Sequence, residues 1–533
     1  MKTWIAAILY HGRPIVHHEG PIVIARTPDR LLPALNRIRW RPMRWWQDRT
    51  RITCALLFLL GFAVLAIVSG DRLKKQSPDP HFVLQADAWL KGKLSIDPPW
   101  KGDDPAKVET VLLNNGEQVR GRYLKTRGWV VGSPWLERAI RDPKVGKQRM
   151  PRVRFFRTTA GVDIPQSEVA RSIKTDNYVS FPPVPALLML PQTAVHGRIA
   201  NDVFPTLLIA ALILPLCFLT LRRLAQEGLS NRSDSDNIWL SLQLSFGSVL
   251  FFVSVAGRVW FTAHVVGVAF ALGYAYFSIG ARRPLLAGLM LGLAALSRTP
   301  MAFMFPFFAL EACRSVAGED WHKNWRQSLA MHWRSLSVLY LKFAAPILVL
   351  ATIACIHNYL RFDNPTEFGH SFLAVRQQGM IENHGLFDYE YLRRNLSVAF
   401  TLLPNFNSVA PYIHISGHGM ALWITTPLFV LLLWPKKRGH IHTALWLTVA
   451  LIAIPILFYQ NSGWVQFGYR FSLDFTVFLL LLFAIGNRKL SKMVKGFIVL
   501  SIIINLFGAY TFGRHFEYYN GGSYDVVIPH HPK

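Results

Sequence analysis

Asp79-Pro80-His81 follows closely on the first hydrophobic stretch of this 533-residue chain, and Tyr469-Arg470-Phe471-Ser472-Leu473-Asp474 opens a late one. A carboxylate so placed is suited to take a proton from a hydroxyl nucleophile. An arginine is suited to hold phosphate oxygens in a bidentate fork. Together they fit transfer of a group from a phosphorylated carrier, in which a base activates the acceptor and a cation meets the charge of the departing phosphate. Asp87 is a second carboxylate candidate two turns further on, and His81 and Tyr469 are candidate neighbours of the acceptor. Simpler readings stand beside these. Asp79 followed by Pro80 is a standard helix start, with Asp at the N-cap and Pro at the first helical position. Arg470 and Asp474 have the i,i+4 spacing of a rim salt bridge.

These residues lie between apolar stretches. The chain is 51% hydrophobic and 13% aromatic with mean hydropathy +0.25, which places it among integral membrane proteins. Taking about 20 apolar residues per crossing, eleven spans are expected, near residues 52–70, 203–221, 238–256, 259–279, 285–297, 300–312, 337–359, 420–434, 443–459, 471–485 and 494–512. The fifth and sixth are short and meet at Arg298-Thr299-Pro300, the pattern of a broken or re-entrant pair. The fold class expected is an all-α polytopic membrane protein of about eleven transmembrane helices, with a small mixed α/β insert outside the cytoplasm.

Residues 1–51 hold ten Lys and Arg against three Asp and Glu, and later basic clusters fall at Arg222-Arg223, Arg282-Arg283, Lys436-Lys437-Arg438 and 488–495. The positive-inside rule assigns all of these to the cytoplasm. Residues 1–51 are then a cytoplasmic basic arm and 52–512 the transmembrane domain. Outside lie a first loop of roughly 130 residues (71–202), a second large loop (360–419), the short 460–470 segment and the 513–533 tail. The net charge of +27 is distributed among loops and arms rather than along one soluble face, which favours anionic lipid over nucleic acid as its partner. No cleavable leader is expected, because the first apolar run begins only near residue 52.

In the first loop, Asn115-Gly116 is expected to turn a type I′ hairpin. Phe82, Val83, Ala86, Trp89 and Leu90 predict an amphipathic helix along the outer membrane surface, and residues 186–190 predict an interfacial helix. On the same face lie Arg258, Arg298 and Arg361, each readable alone as a snorkelling anchor. With Arg470 they make four arginines on different spans that could converge on a phosphate or pyrophosphate. His264 and His370 also fall near this rim, and Asp363, Glu367, Glu382, Asp388 and Glu390 are further acids in the second loop. His17-His18, His440, His442 and His530-His531 fall in the cytoplasmic segments and the tail. The outer face has no His-x-x-x-His or Asp-x-Asp pattern, and the four cysteines fall in or beside spans, so neither a metal, another cofactor nor a disulfide framework is called for.

The order of these features resembles the GT-C superfamily of polytopic glycosyltransferases, especially the bacterial branch similar to protein O-mannosyltransferases and lipid A aminoarabinose transferases. The resemblance is carried by the basic arm and single span, by Asp79-Pro80-His81-Phe82-Val83-Leu84-Gln85-Ala86-Asp87-Ala88-Trp89-Leu90, by Phe181-Pro182-Pro183-Val184-Pro185 before the second span, and by the small-residue helix ending at Ser297-Arg298. It implies a polyprenyl-phosphate sugar donor, an extracytoplasmic lipid, glycan or protein acceptor, inversion in one displacement, and residence in a bacterial inner membrane. It also implies Asp79 as general base and Arg298 and Arg470 as phosphate ligands. The family has an Asp-Glu pair here, and Pro80 stands in place of the Glu. A transporter or flippase for a lipid-linked glycan, or an inactive scaffold of the same fold, are the alternatives. A transporter would be expected to show repeat symmetry and midplane charges, and no repeat is visible.

Overall fold

The structure is a computed structural model that describes residues 49–100, 105–127, 152–373, 378–436 and 439–519. Its contacts divide the chain into Met1–Arg51 and Ile52–Lys533. Nearly all of the basic arm, His17-His18, His530-His531 and the end of the tail lie outside the described residues.

Among the described residues, six helices are long and apolar enough to cross a membrane: Arg49–Lys74, Val203–Gln226, Val259–Ala281, Trp321–Phe362, His440–Leu457 and Lys492–Thr511. Their outward side chains are apolar, as in Leu56, Ile67, Leu341, Leu348 and Ile503, and such a surface belongs in lipid rather than water. The chain is therefore a multi-pass membrane protein. The expected count of eleven is not supported, because the other five segments are short or broken. Residues 238–256 fall into Asp234–Ser245 and Leu250–Ser254. Between these two helices the Gln243 side chain donates to the Gly247 carbonyl at 2.6 Å. Residues 285–297 give the 12-residue helix Pro284–Ala295, and 300–312 give a 3₁₀ turn followed by Phe305–Ala317. Residues 420–434 hold the four-residue helix Leu422–Thr425 and the 3₁₀ stretch Pro427–Leu433. Leu473–Ile485 is helical and buried at every position. At 1.5 Å per residue a 12- or 13-residue helix is about 18–20 Å long, short of a 30 Å hydrocarbon layer. Window hydropathy registers composition but not the place where a backbone stops being helical.

The insert is one antiparallel sheet of β1 (Ala106–Leu113), β2 (Gln118–Arg127), β3 (Arg152–Thr158), β4 (Asp163–Pro165) and β5 (Val169–Tyr178), in the order β4-β3-β2-β1-β5. Among the described residues of the first loop this sheet stands beside the helices His81–Leu90 and Val184–His196. The Asn115-Gly116 turn is made differently from the one expected. Gly116 takes φ +84° while Asn115 is not among the residues of positive φ, so the turn is not type I′, which requires both. Leu113 N–H instead reaches the Glu117 carbonyl at 2.8 Å around a three-residue loop. The sheet is tied to the helical body through Arg120, which pairs with Asp363 and donates to the Arg361 carbonyl at 2.9 Å.

The helix after Asp79, His81–Leu90, does not lie on a membrane surface: His81 through Ala88 are all buried. Phe82, Val83 and Ala86 pack with Ala186, Met189, Val259 and Ala263, while Leu84 and Ala88 pack with Ile96 and Val179. A helix apolar on both sides is a core element. The Val184–His196 helix beside it keeps Leu187, Leu188 and Val195 exposed, the apolar face an interfacial helix presents.

Candidate functional site

The segment entering the His81–Leu90 helix is held rigidly. Ser77 donates its backbone N–H and its hydroxyl to the two Asp202 carboxylate oxygens at 2.7 and 2.6 Å. Asp79 N–H then reaches Ser77 Oγ at 3.2 Å, and the Asp79 carbonyl accepts Val259 N–H at 3.1 Å. The cap position belongs to Pro80, with no side-chain cap, so Asp79 lies one residue before it and does not act as the expected N-cap. Its carboxylate faces Arg258 instead, with Oδ2 3.4 Å from Nε. Asp79 is 6% exposed.

Burial raises the Asp202 carboxyl to about 6, with Asp79 adding to the shift and the Ser77 hydrogen bonds opposing it. A carboxyl whose folded pKa is raised stabilises the fold below its unfolded pKa near 3.8, and that stability is lost as pH rises to about 6. Asp202→Asn keeps a neutral amide against Ser77. Relative to wild type the variant is expected to gain about 3 kcal/mol between pH 4 and 6.5 and then stay level, read by thermal unfolding in detergent. A difference that does not change with pH would contradict this.

One cavity borders the segment and a second is reached from it through Phe181. The first, of about 300 Å³, is lined by Ser77 and Pro78 together with Asp71, Arg72, Lys75, Arg258 and Arg514. The other, of about 330 Å³, is mainly apolar, with Phe181, Phe303, Phe387 and Ile456 in its wall beside Arg298, Glu367, His370 and Tyr459. Phe181 links this wall to the helix start, its ring 6.2 Å from His81 and 6.3 Å from His370. Burial lowers the His370 imidazole below its ordinary value.

Arg298 is fixed by a bidentate pair to Asp474, Nε to Oδ1 at 3.0 Å and Nη2 to Oδ2 at 2.8 Å, with His264 Nδ1 3.2 Å from Oδ1. The i,i+4 pair expected between Arg470 and Asp474 is thus replaced by a tertiary one, across 176 residues. Arg470 is buried and donates to the carbonyls of Gly463 and Val465, holding the 460–470 segment. Its guanidinium and that of Arg298 both lie over the Phe471 ring, centred 5.4 and 5.2 Å away.

The remaining candidates are dispersed. Tyr469 is buried against Phe471. Arg361 is 1% exposed and donates to the Val179 carbonyl at 2.7 Å and to Asn358 Oδ1 at 2.8 Å, fastening the long helix to the exit of β5. Asp87 pairs with Lys91 at 2.6 Å. The structure brings Asp79, His81 and Arg258 together and sets Arg298 in the wall of the apolar cavity. Sequence reasoning passed over Asp202, Arg72 and Arg514. The last two follow apolar runs as Arg298 does, and that rule applied evenly would have selected them. Among the described residues no group of three or more His, Cys, Asp or Glu side chains could hold a metal ion.

No protein-family model matches the chain, and no curated protein matches it. In structure it is similar to the crystal structure of the Archaeoglobus fulgidus oligosaccharyltransferase in its apo form, with 12% identity over 90% of this chain and 57% of that one and a TM-score of 0.39. The chain spans somewhat over half the length of that protein. A likeness at this score and identity establishes neither activity nor substrate.

Proposed function

We propose that this protein is a GT-C-like membrane glycosyltransferase that moves a sugar from a polyprenyl-phosphate carrier to a lipid, glycan or protein acceptor on the extracytoplasmic side of a bacterial inner membrane. Its N-terminus is then cytoplasmic and its C-terminus outside. The observation that carries this reading is a single one: a carboxylate held by backbone and by Arg258 lies behind the wall of a polar basic cavity to which Arg258 belongs, and an apolar cavity with a guanidinium in its wall lies beyond Phe181. An apolar groove accepts a polyprenyl chain by burying its surface, and Arg298 at its edge is placed to meet the carrier's phosphate.

In the proposed step Asp79 takes the proton of an acceptor hydroxyl as its oxygen attacks the anomeric carbon. The bond from that carbon to the phosphate oxygen breaks with inversion, and the electron pair leaves on the polyprenyl phosphate, whose charge Arg298 stabilises. Arg258 pairs with the Asp79 carboxylate and fixes its position. Arg470 and Arg361, which are buried and line neither cavity, hold the frame of the site, and Asp87 is a largely buried carboxylate paired with Lys91.

The test is transfer from a radiolabelled polyprenyl-phosphate sugar by the full chain in proteoliposomes. Covalent product supports the enzyme. Vectorial movement of the carrier without transfer makes the protein a flippase, and neither makes it a scaffold.

A further inference from the structure

The polar cavity has a charge pattern that the proposed step does not use. Arg72 arrives from the end of the first span, Arg258 from the turn before Val259, and Arg514 from the end of the last span, with Lys75 exposed at the rim. Gly513 takes φ +68° and passes its backbone between them, so that a methyl group there would lie 3.3 Å from Arg72 Nη2 and 4.0 Å from Arg258 Nη2. Arg72 donates to the Phe512 carbonyl, and Arg514 donates to the carbonyls of Val68 and Ser69 at 2.8 and 2.6 Å. These contacts aim the guanidinium groups without neutralising them. The wall thus holds four cations against the single carboxylate of Asp71, with Asp79 beside Arg258. Guanidinium groups gathered this closely repel one another, and a bound anion relieves that repulsion while taking charge-assisted hydrogen bonds from several of them.

We propose that this pocket binds an anionic group, a phosphate ester, carried by the acceptor. The inference rests on the glycosyltransferase reading and adds the chemical class of the acceptor. The apolar cavity suits the polyprenyl chain, the polar one does not, and the polar wall is joined to the proposed base because Arg258 in that wall pairs with Asp79.

The experiment uses full-length protein in detergent and titrates inorganic phosphate and pyrophosphate, reading equilibrium binding. Saturable binding is expected to weaken about tenfold or more in Lys75→Glu, a substitution of an exposed side chain that leaves folding intact. Arg72→Lys, which keeps the charge and loses the fork, is expected to fall between the two. Equal binding by wild type and Lys75→Glu overturns the site. Two competitors identify the source of the phosphate: displacement of bound pyrophosphate by a short-chain polyprenyl phosphate, or by vesicles of phosphatidylglycerol, assigns the pocket to the carrier or to bulk lipid and overturns the proposal. Displacement by soluble sugar phosphates, but by neither of those, supports it. If binding behaves as expected and no transfer is observed, the anion site stands and the glycosyltransferase reading alone falls.

Discussion

Asp79→Asn is expected to lower the rate of sugar transfer by about 10²- to 10⁴-fold, the usual contribution of a positioned general base. Asparagine has the same shape and can occupy the same place, so the fixed features around it survive: the Ser77 turn, the bond from Val259 N–H to the residue 79 carbonyl, and the packing of Phe82 and Val83. What it cannot do is accept the acceptor's proton. The lost ion pair with Arg258 costs little, because the Arg258 side chain is 34% exposed and the neutral asparagine leaves no buried charge behind. The measurement is initial rate in proteoliposomes alongside the thermal midpoint. Transfer at the wild-type rate would remove Asp79 from the chemistry, and a collapsed midpoint would show that its role is to hold the helix start.

Arg298→Met is expected to destabilise the fold by about 3–5 kcal/mol, the cost of leaving a buried charge without its partner. The Asp474 side chain is fully buried, and its two oxygens are taken by Nε and Nη2 of Arg298. His264, also fully buried, touches only one of them. The double variant Arg298→Met with Asp474→Leu removes both charges and is expected to recover most of that loss, since apolar replacement of a buried pair is often near neutral. It is also expected to remain inactive, because no guanidinium is left in the wall of the apolar cavity. Stability is read by thermal unfolding in detergent and activity by the same transfer assay. A double variant that is both stable and active would show that Arg298 serves only to neutralise Asp474.

How far the site was legible differs residue by residue. Asp79 and Arg258 were both visible as charges at the ends of apolar runs, where charge is costly to place and therefore informative. Their contact was not visible, because 179 positions separate them and it takes the packing of the His81–Leu90 helix against Val259 and Ala263, with the bond from Val259 N–H to the Asp79 carbonyl, to join them. Arg470 shows the opposite error. Its spacing from Asp474 satisfied a local rule, yet the carboxylate turned to Arg298, which offered Nε and Nη2 in a fork, and Arg470 was left to bind carbonyls of its own loop. The helix after Asp79 had a face at the right period, but its other face carries Leu84 and Ala88 and is covered as well, so periodicity marked a helix without marking its surroundings.

Composition by itself determined that the chain belongs in a membrane, that a structured insert follows the first span, and that charges gather at the ends of apolar runs, because each of these depends on residue type over short windows. Tertiary structure decided how many of those runs are single straight helices, which arginine pairs with which carboxylate, and that Arg258 in the wall of a polar cavity is the partner of Asp79. Those outcomes depend on where distant backbone segments break and touch, and the energies that settle them, burial of charge and the fit of apolar faces, are set by neighbours far away along the chain.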